Sequence, residues 1–124
     1  MLKGSCNCRS ITFEVRANWQ GLSVCHCGQC RKQSGHLWAS GYAPVGDIEV
    51  TGAPTWYRSS DIAQRGFCPT CGCFLFWKHD AEDTMSFALG ALDGPTGLTL
   101  EKHIFVAHKG DYYDIADGLP QHEH

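Results

Sequence analysis

Three cysteines stand within six residues, at Cys25, Cys27 and Cys30. Sulfur donors in C-x-C-x2-C spacing on a tight loop can converge on one ion, and thiolate ligands favour zinc or an iron–sulfur cluster over hard cations. Zinc is the simpler assignment. Tetrahedral zinc takes four ligands, so this loop either obtains a fourth ligand from elsewhere in the chain or leaves one position for a substrate, as catalytic zinc sites do.

Cys68 and Cys71 form a C-x2-C turn that is followed by Gly72. This is the form of a zinc knuckle, in which the glycine permits a positive φ just beyond the second thiolate. A knuckle supplies two ligands, and Cys6 and Cys8 are the remaining C-x-C pair. The sequence therefore predicts a closed structural zinc site made of Cys6, Cys8, Cys68 and Cys71, whose metal-binding energy is folding energy.

Two interpretations of the last cysteine, Cys73, stay open. Residues two apart on a strand share a face, so Cys73 could point where Cys71 points and complete the second zinc as its fourth ligand, which would close that site. Alternatively, Cys73 is a buried small hydrophobic side chain, a common role of a free cysteine. We favour the second interpretation, because the first zinc already fixes Cys71.

The number and spacing of the cysteines also indicate whether the protein resides in an oxidising or a reducing compartment. Eight cysteines in 124 residues would suit a disulfide framework as well. Their spacing favours metal cages, because C-x-C pairs and tight triplets are poor at closing long loops. A reducing compartment keeps such thiols free, so we expect a cytoplasmic protein.

Composition narrows the range of partners. Hydrophobic residues make up 43% of the chain, charged residues 19%, and the formal net charge is -3. The basic residues are scattered and form no patch that would follow a phosphate backbone, so no nucleic-acid partner is expected. No apolar run is long enough to cross a bilayer, so no membrane partner is expected either.

Short apolar or alternating stretches separated by glycine and proline turns cover most of the chain. Ile11–Val15 alternates strictly, which predicts a half-buried strand with Ile11, Phe13 and Val15 facing inward. Without a long helical period the pattern predicts an all-β domain, and the length fits one domain over residues 1–124. One helical turn is expected at 31–35, extended segments at 22–24, 36–42, 48–51, 55–58, 63–67, 74–77, 84–89 and 102–106, and an irregular tail from residue 109.

Four motifs occur in order along the chain: Gly4-Ser5-Cys6-Asn7-Cys8, Cys25-His26-Cys27 through Cys30-Arg31-Lys32, Phe67-Cys68-Pro69-Thr70-Cys71-Gly72, and Ile115-Ala116-Asp117-Gly118-Leu119-Pro120. Together they resemble the glutathione-dependent formaldehyde-activating enzyme family, which includes centromere protein V-like members. The resemblance implies an Mss4-like zinc-stapled β-sheet fold, a structural zinc on the two cysteine pairs and a second zinc on the C-x-C-x2-C loop. It also implies formation of S-(hydroxymethyl)glutathione, an activity classed as that of a carbon–sulfur lyase.

Two positions depart from the family pattern. Arg9 stands where the family commonly has glycine after the first cysteine pair, which changes that turn without removing a ligand. Cys73 stands where threonine or serine often follows the knuckle glycine.

These observations lead to the hypothesis of a zinc-dependent carbon–sulfur lyase-type enzyme that acts on a thiol–aldehyde adduct. Two zinc ions per chain are expected, glutathione is the candidate co-substrate, and Cys25, Cys27 and Cys30 would hold the working zinc. Arg31 and Lys32 follow this loop directly and are candidate contacts for a substrate carboxylate. The alternative is a non-catalytic zinc-stapled binding or scaffold module, since fold alone does not decide function.

Two histidines have weaker signals. His26 lies between two candidate ligands, so its side chain should face away from the metal, either as a surface or packing histidine or as a nearby proton carrier. His103 lies in a strand pattern and is expected to be structural.

Overall fold

The computed structural model describes residues 1–124 and is dominated by β-strands, which confirms the all-β prediction. One α-helix and three 3-10 turns, at Val45–Asp47, Leu89–Ala91 and Val106–His108, complete the secondary structure. The elements are β1 (Leu2–Ser5), β2 (Thr12–Val15), β3 (Gln20–Cys25), α1 (Gly28–Ser34), β4 (Trp38–Pro44), β5 (Ile48–Thr51), β6 (Thr55–Arg58), β7 (Ala63–Phe67), β8 (Phe74–His79), β9 (Thr84–Ala88) and β10 (Lys102–Ile104).

The strands form two sheets. The smaller sheet has the order β1-β2-β5, and the larger has the order β10-β3-β4-β9-β8-β7-β6. All neighbours are antiparallel except β10, which runs parallel to β3. None of the helices combines the length and the apolar composition that a membrane span requires.

One hydrophobic core joins the two sheets. Phe13 of the smaller sheet packs edge to face on Phe76 of the larger sheet, with ring centroids 5.1 Å apart. Ile11 and Val15 are 1% and 0% exposed, so the alternation between residues 11 and 15 is confirmed. The core also contains Cys6 and Cys68, which places the first predicted metal site at the junction of the sheets.

β1 is the strand that the sequence pattern does not indicate. Its four residues carry no clear alternation, and their pairing with β2 depends on a close approach at Gly4. A Cβ atom at this position would lie 2.3 Å from the ring of Phe13, so only glycine fits beside that core ring. The strand is therefore defined by a long-range packing requirement.

The helix and the last strand differ from the sequence prediction at their ends. α1 begins at Gly28, with Cys27 as its N-cap, and ends as predicted at Gly35, which adopts a left-handed conformation with φ 88°. β10 ends at Ile104 because Phe105 adopts φ 54° and the chain turns into a 3-10 segment. The second predicted metal loop thus lies between the end of β3 and the first turn of α1.

Candidate metal centres and cavity

The structure brings Cys6, Cys8, Cys68 and Cys71 together. All four sulfur atoms lie within 4.8 Å of one another. The Cys6–Cys8 and Cys8–Cys68 sulfur separations are 3.6 Å and 3.7 Å. A tetrahedral zinc with Zn–S bonds of about 2.3 Å places its sulfurs about 3.8 Å apart, so this set of donors fits zinc. We call these four residues the first cluster.

Two tight turns present the first cluster. In the first turn, the Arg9 amide donates to the Cys6 carbonyl (3.1 Å), and Arg9 has φ 65°. Arg9 thus adopts the left-handed conformation that a glycine would adopt at lower cost. In the second turn, the Gly72 amide donates to the Cys68 carbonyl (2.8 Å), and Gly72 has φ 80°. The knuckle geometry is therefore present in this chain.

Ser10 belongs to the surroundings of the first cluster and was not singled out from the sequence. Its hydroxyl lies 3.1 Å from the Cys8 sulfur and 3.3 Å from the Cys68 sulfur. The Ser10 hydroxyl, followed by the Cys71 amide, lowers the pKa of Cys68 to about 5. Cys68 is thus prepared to be a thiolate, which is the form that binds metal.

Cys73 lies outside both groups of converging thiols. It is half-buried beside the first cluster, and its sulfur accepts a hydrogen bond from the Asn7 amide at 3.2 Å. Burial, followed by contact with the Cys71 thiol, raises its pKa. This placement fits the free-cysteine interpretation and separates Cys73 from the C-x-C-x2-C loop. All eight cysteines are unbridged.

Cys25, Cys27 and Cys30 also converge, and we call them the second cluster. Their sulfur atoms lie within 4.8 Å of one another. Cys25 is the last residue of β3, Cys27 is the N-cap of α1, and Cys30 lies in the first turn of that helix. The Cys27 sulfur accepts a hydrogen bond from the Cys30 amide at 3.4 Å, so the helix cap itself orients this sulfur.

The electrostatics of the second cluster concentrate negative charge on one sulfur. Hydrogen bonds from the Cys25 and Cys30 thiols lower the pKa of Cys27 well below its ordinary value. The same hydrogen bonding, followed by burial, raises the pKa of Cys25. The cluster supplies three protein ligands, one fewer than tetrahedral zinc takes, and its soft donor set fits zinc.

Arg65 is the residue beside the second cluster that sequence reasoning missed. It lies in the middle of β7 and is only 5% exposed. Its Nη1 donates to the Cys30 sulfur and to Gln33 Oε1, each at 3.4 Å, and its guanidinium lies over the Phe74 ring. None of the ion pairs in the structure involves Arg65. A buried arginine stays charged, and the Cys30 sulfur and the Gln33 side-chain oxygen are the acceptors that Nη1 contacts.

The sequence contains one signal for this burial. Ala63, Arg65 and Phe67 are two apart on one strand and therefore share a face. Ala63 is 3% exposed, so the alternation of β7 places Arg65 on a buried face. The partner could not be inferred in the same way, because Cys30 lies 35 residues away on another element.

His26 and His103 form a buried chain with two residues of the C-terminal segment. His26 is 1% exposed and shares hydrogen bonds with the Tyr113 hydroxyl and with His103 (2.8 Å). His103 Nε2 donates to the Asp117 carboxylate at 2.7 Å. Because a carboxylate only accepts, a proton of His103 lies on Nε2, so His103 Nδ1 can accept from His26 Nε2, and His26 Nδ1 can accept from the Tyr113 hydroxyl. Asp117 therefore sets the direction of every bond in the chain.

The pKa shifts agree with this arrangement. Burial is the main cause that lowers the pKa of His26, and a proton on His103 would lower it further, so the His26 ring stays neutral. The hydrogen bond from His103 lowers the pKa of Asp117, and burial raises the pKa of Tyr113. The His26 side chain thus points toward the C-terminal segment, and it ties the second-cluster loop to that segment.

A cavity of about 570 Å³ opens at the second cluster, and all three cluster cysteines line it. Its walls include Trp38, Trp77 and Arg65, and none of its lining residues is acidic. Trp38 stacks on Phe74 with ring centroids 4.1 Å apart, so this wall of the cavity is aromatic and is supported from behind by a second ring. This volume falls within the range of small-molecule binding sites.

Arg31 and Lys32 do not line this cavity. Arg31 is half-buried, with its Nε atom buried and without a partner, and Lys32 is exposed on α1. Their predicted contact with a substrate carboxylate stays a prediction. The cations that do line the cavity are Arg65 and Lys102.

The chain is similar to known proteins over most of its length. The family described as "Glutathione-dependent formaldehyde-activating enzyme" matches residues 1–108. An uncharacterized lyase of Schizosaccharomyces pombe is 28% identical over 124 residues, which cover 93% of this chain and 85% of the yeast protein. The crystal structure of a Rhodobacter sphaeroides protein is similar with a TM-score of 0.62 at 27% identity, over 77% of this chain and 91% of that one.

Proposed function

Since the chain belongs to the glutathione-dependent formaldehyde-activating enzyme family, we propose that it is a zinc-dependent carbon–sulfur lyase-type enzyme. Its reaction would be the formation or cleavage of a thiol–aldehyde adduct such as S-(hydroxymethyl)glutathione. The observation that carries this proposal is the position of the second cluster. Cys25, Cys27 and Cys30 all line one cavity, and they supply one ligand fewer than tetrahedral zinc takes.

The two clusters would have different roles. Cys6, Cys8, Cys68 and Cys71 would hold a structural zinc, because four thiolates complete its coordination. Cys25, Cys27 and Cys30 would hold the working zinc. Zinc bound there would supply Lewis-acid chemistry and stabilise a thiolate at neutral pH.

Arg65 compensates charge at this site. Three thiolates and one divalent ion have a net charge of about -1, which weakens the pull on a further anionic ligand. The Arg65 guanidinium, whose Nη1 lies 3.4 Å from the Cys30 sulfur, brings the local charge close to zero. Because the group is 5% exposed, this compensation acts where solvent screening is weak. An incoming thiolate is therefore opposed less by the charge of the cluster.

The reaction requires few further groups from the protein. In the forward direction the thiol loses its proton, a sulfur–carbon bond forms, the carbonyl π bond breaks, and the new alkoxide takes up one proton, so that no net proton is consumed. In the reverse direction the hydroxyl loses that proton, the sulfur–carbon bond breaks, and the aldehyde leaves. The chain's contribution is to bind the thiol in a cavity walled by Trp38 and Trp77 and to orient it toward the open end of the second cluster.

The test is the rate at which formaldehyde and glutathione exchange with their adduct, measured by exchange NMR at equilibrium. The zinc-loaded protein should accelerate this exchange, and Cys27→Ser should reduce it to the uncatalysed rate. Cys73→Ser is the matched control, because Cys73 lies outside both clusters; it should retain the acceleration.

Two outcomes would overturn the proposal. Full acceleration by Cys27→Ser would remove the second cluster from the reaction. No acceleration by the wild-type protein with glutathione or with other small thiols would favour the alternative, a non-catalytic zinc-stapled module.

A further inference from the structure

The register of three strands divides the cavity into successive rows. Cys25 pairs with Trp38 on β4 and with Ile104 on β10, and these residues form the row at the second cluster. Two residues earlier on β3, Ser23 pairs with Ser40 on β4 and with Lys102 on β10. All six side chains line the cavity. Since a strand rises about 3.3 Å per residue, the second row lies about 7 Å from the first.

The second row contains a cation without a counterion. None of the ion pairs in the structure involves Lys102, and the cavity has no acidic lining residue. The other cavity cation, Arg65, already contacts the Cys30 sulfur. Lys102 is half-buried, and its row partner Ser23 is 6% exposed. A half-buried ammonium next to one hydroxyl group, with a second hydroxyl one strand further along the same row, is a site that favours an anionic oxygen.

We propose that Lys102, Ser23 and Ser40 form a carboxylate subsite that selects the thiol substrate. The substrate class is a thiol that carries a carboxylate about 7 Å from its sulfur, with the sulfur directed at the second cluster. In glutathione the glycyl carboxylate lies one residue beyond the cysteine, roughly 7 Å from the sulfur in an extended form. This inference rests on the proposed function only in assuming that the thiol enters the cavity sulfur first.

The same lining fixes the orientation of such a substrate. The glutamyl end of glutathione carries an ammonium group, for which the cavity offers no carboxylate partner. Burying that ammonium unpaired would be unfavourable. The glycyl end therefore enters the second row, and the glutamyl end stays at the mouth of the cavity, in contact with solvent.

The experiment compares glutathione with its glycyl monoethyl ester, which keeps the sulfur and removes the glycyl charge. Equilibrium binding of both ligands to the zinc-loaded protein is measured by calorimetry, separately from turnover. The wild-type protein should bind glutathione roughly tenfold or more tightly than the ester, as expected for a hydrogen-bonded charged group. Lys102→Met and Lys102→Gln should each abolish this preference and leave binding of the ester unchanged.

Two control variants make the result specific. Lys3→Met removes an exposed lysine of the other sheet and should retain the preference. Lys32→Met tests the rival carboxylate contact on α1. The proposal is overturned if both Lys102 variants retain the preference, if Lys32→Met alone abolishes it, or if wild-type protein binds the two ligands equally. Retained preference without any turnover would count against the proposed reaction and leave the subsite standing.

Discussion

The two cysteine clusters use the same donor atoms in different surroundings. The first cluster draws its sulfurs from two turns 60 residues apart, and Cys6 and Cys68 are part of the core that joins the sheets. The second cluster draws all three sulfurs from one short loop at the end of β3. A metal bound to the first cluster would link distant segments, whereas a metal bound to the second would link only neighbours. Loss of metal should therefore affect stability at the first cluster more than at the second.

The surroundings also differ in charge and hydrogen bonding. Near the first cluster the polar contacts are a serine hydroxyl and backbone amides. Near the second cluster the structure buries a guanidinium, and a chain of two histidines fixes the loop to the C-terminal segment. Buried charge is costly to retain for stability alone, so its presence supports the proposal that the reaction takes place at the second cluster.

The largest effect is expected from Cys68→Ser, which removes one ligand of the first cluster. Structural zinc sites contribute about 10 to 16 kcal/mol of apparent binding energy, as much as the whole stability of a typical domain. The variant should be unfolded or insoluble, and circular dichroism with a urea titration would detect this. Cys73→Ser serves as the control and should fold. A folded Cys68→Ser protein with an unchanged urea midpoint would remove the structural role from the first cluster.

Cys27→Ser should have a smaller effect on stability. Serine is a good N-cap, so α1 should keep its first turn while the second cluster loses one ligand. The metal content should fall from two zinc ions per chain to one, with the circular dichroism spectrum retained. Elemental analysis of the purified protein measures the ratio. If this variant lost both ions, the clusters would be coupled and the division between them would be wrong.

Arg65 variants test the charge at the second cluster. Arg65→Met leaves the thiolates without their buried cation, and a hydrogen bond to a charged group is worth roughly 1.5 to 3 kcal/mol. One zinc ion per chain should then be removed by a chelator roughly 10 to 100 times more readily, with the other ion unaffected. Arg65→Lys keeps the charge but not the planar geometry. Its zinc should be removed more readily than that of the wild type and less readily than that of Arg65→Met. Equal loss of both ions would show that Arg65 supports the fold in general.

The turns and the loop that present the cysteines could be predicted because they follow from local spacing, whereas the joining of Cys6 and Cys8 with Cys68 and Cys71 was inferred by elimination. C-x2-C followed by glycine specifies a turn, and C-x-C-x2-C specifies a loop that enters a helix. The inward residues Ile11, Phe13 and Val15 were predictable for a similar reason, since alternation reports one face of a strand. In each case a few neighbouring residues carry the information.

The residues around the second cluster could not be predicted in this way. Arg65 contacts Cys30 across 35 residues, and His26 contacts His103 across 77. Such pairs are selected by the order of strands in the larger sheet, which no local pattern encodes. The position of Lys102 could not be predicted for the same reason, because its place in the cavity depends on the parallel pairing of β10 with β3. Local patterns thus predicted the ligands, and long-range topology determined their surroundings.

The smallest effect is expected from a change at Asp117. This residue accepts a hydrogen bond from His103, which in turn contacts His26 in the loop of the second cluster. Its pKa is lowered in the folded protein, chiefly by the hydrogen bond from His103. A carboxyl group with a lowered folded pKa stabilises the protein above its unfolded pKa of about 3.9, and this contribution is lost as the pH falls through the folded value. Asp117→Asn should therefore lower the urea midpoint by a constant amount above about pH 5, and the difference should shrink at lower pH.

Zinc retention at the first cluster provides a control for the Asp117 variant. The chain of Tyr113, His26, His103 and Asp117 reaches the loop of the second cluster only. Zinc retention at the first cluster should therefore be the same in Asp117→Asn and wild type, as measured by chelator competition at pH 7. A midpoint difference that stayed constant down to pH 3 would mean that the carboxylate charge contributes nothing. The histidine chain would then position the loop through the geometry of its hydrogen bonds alone.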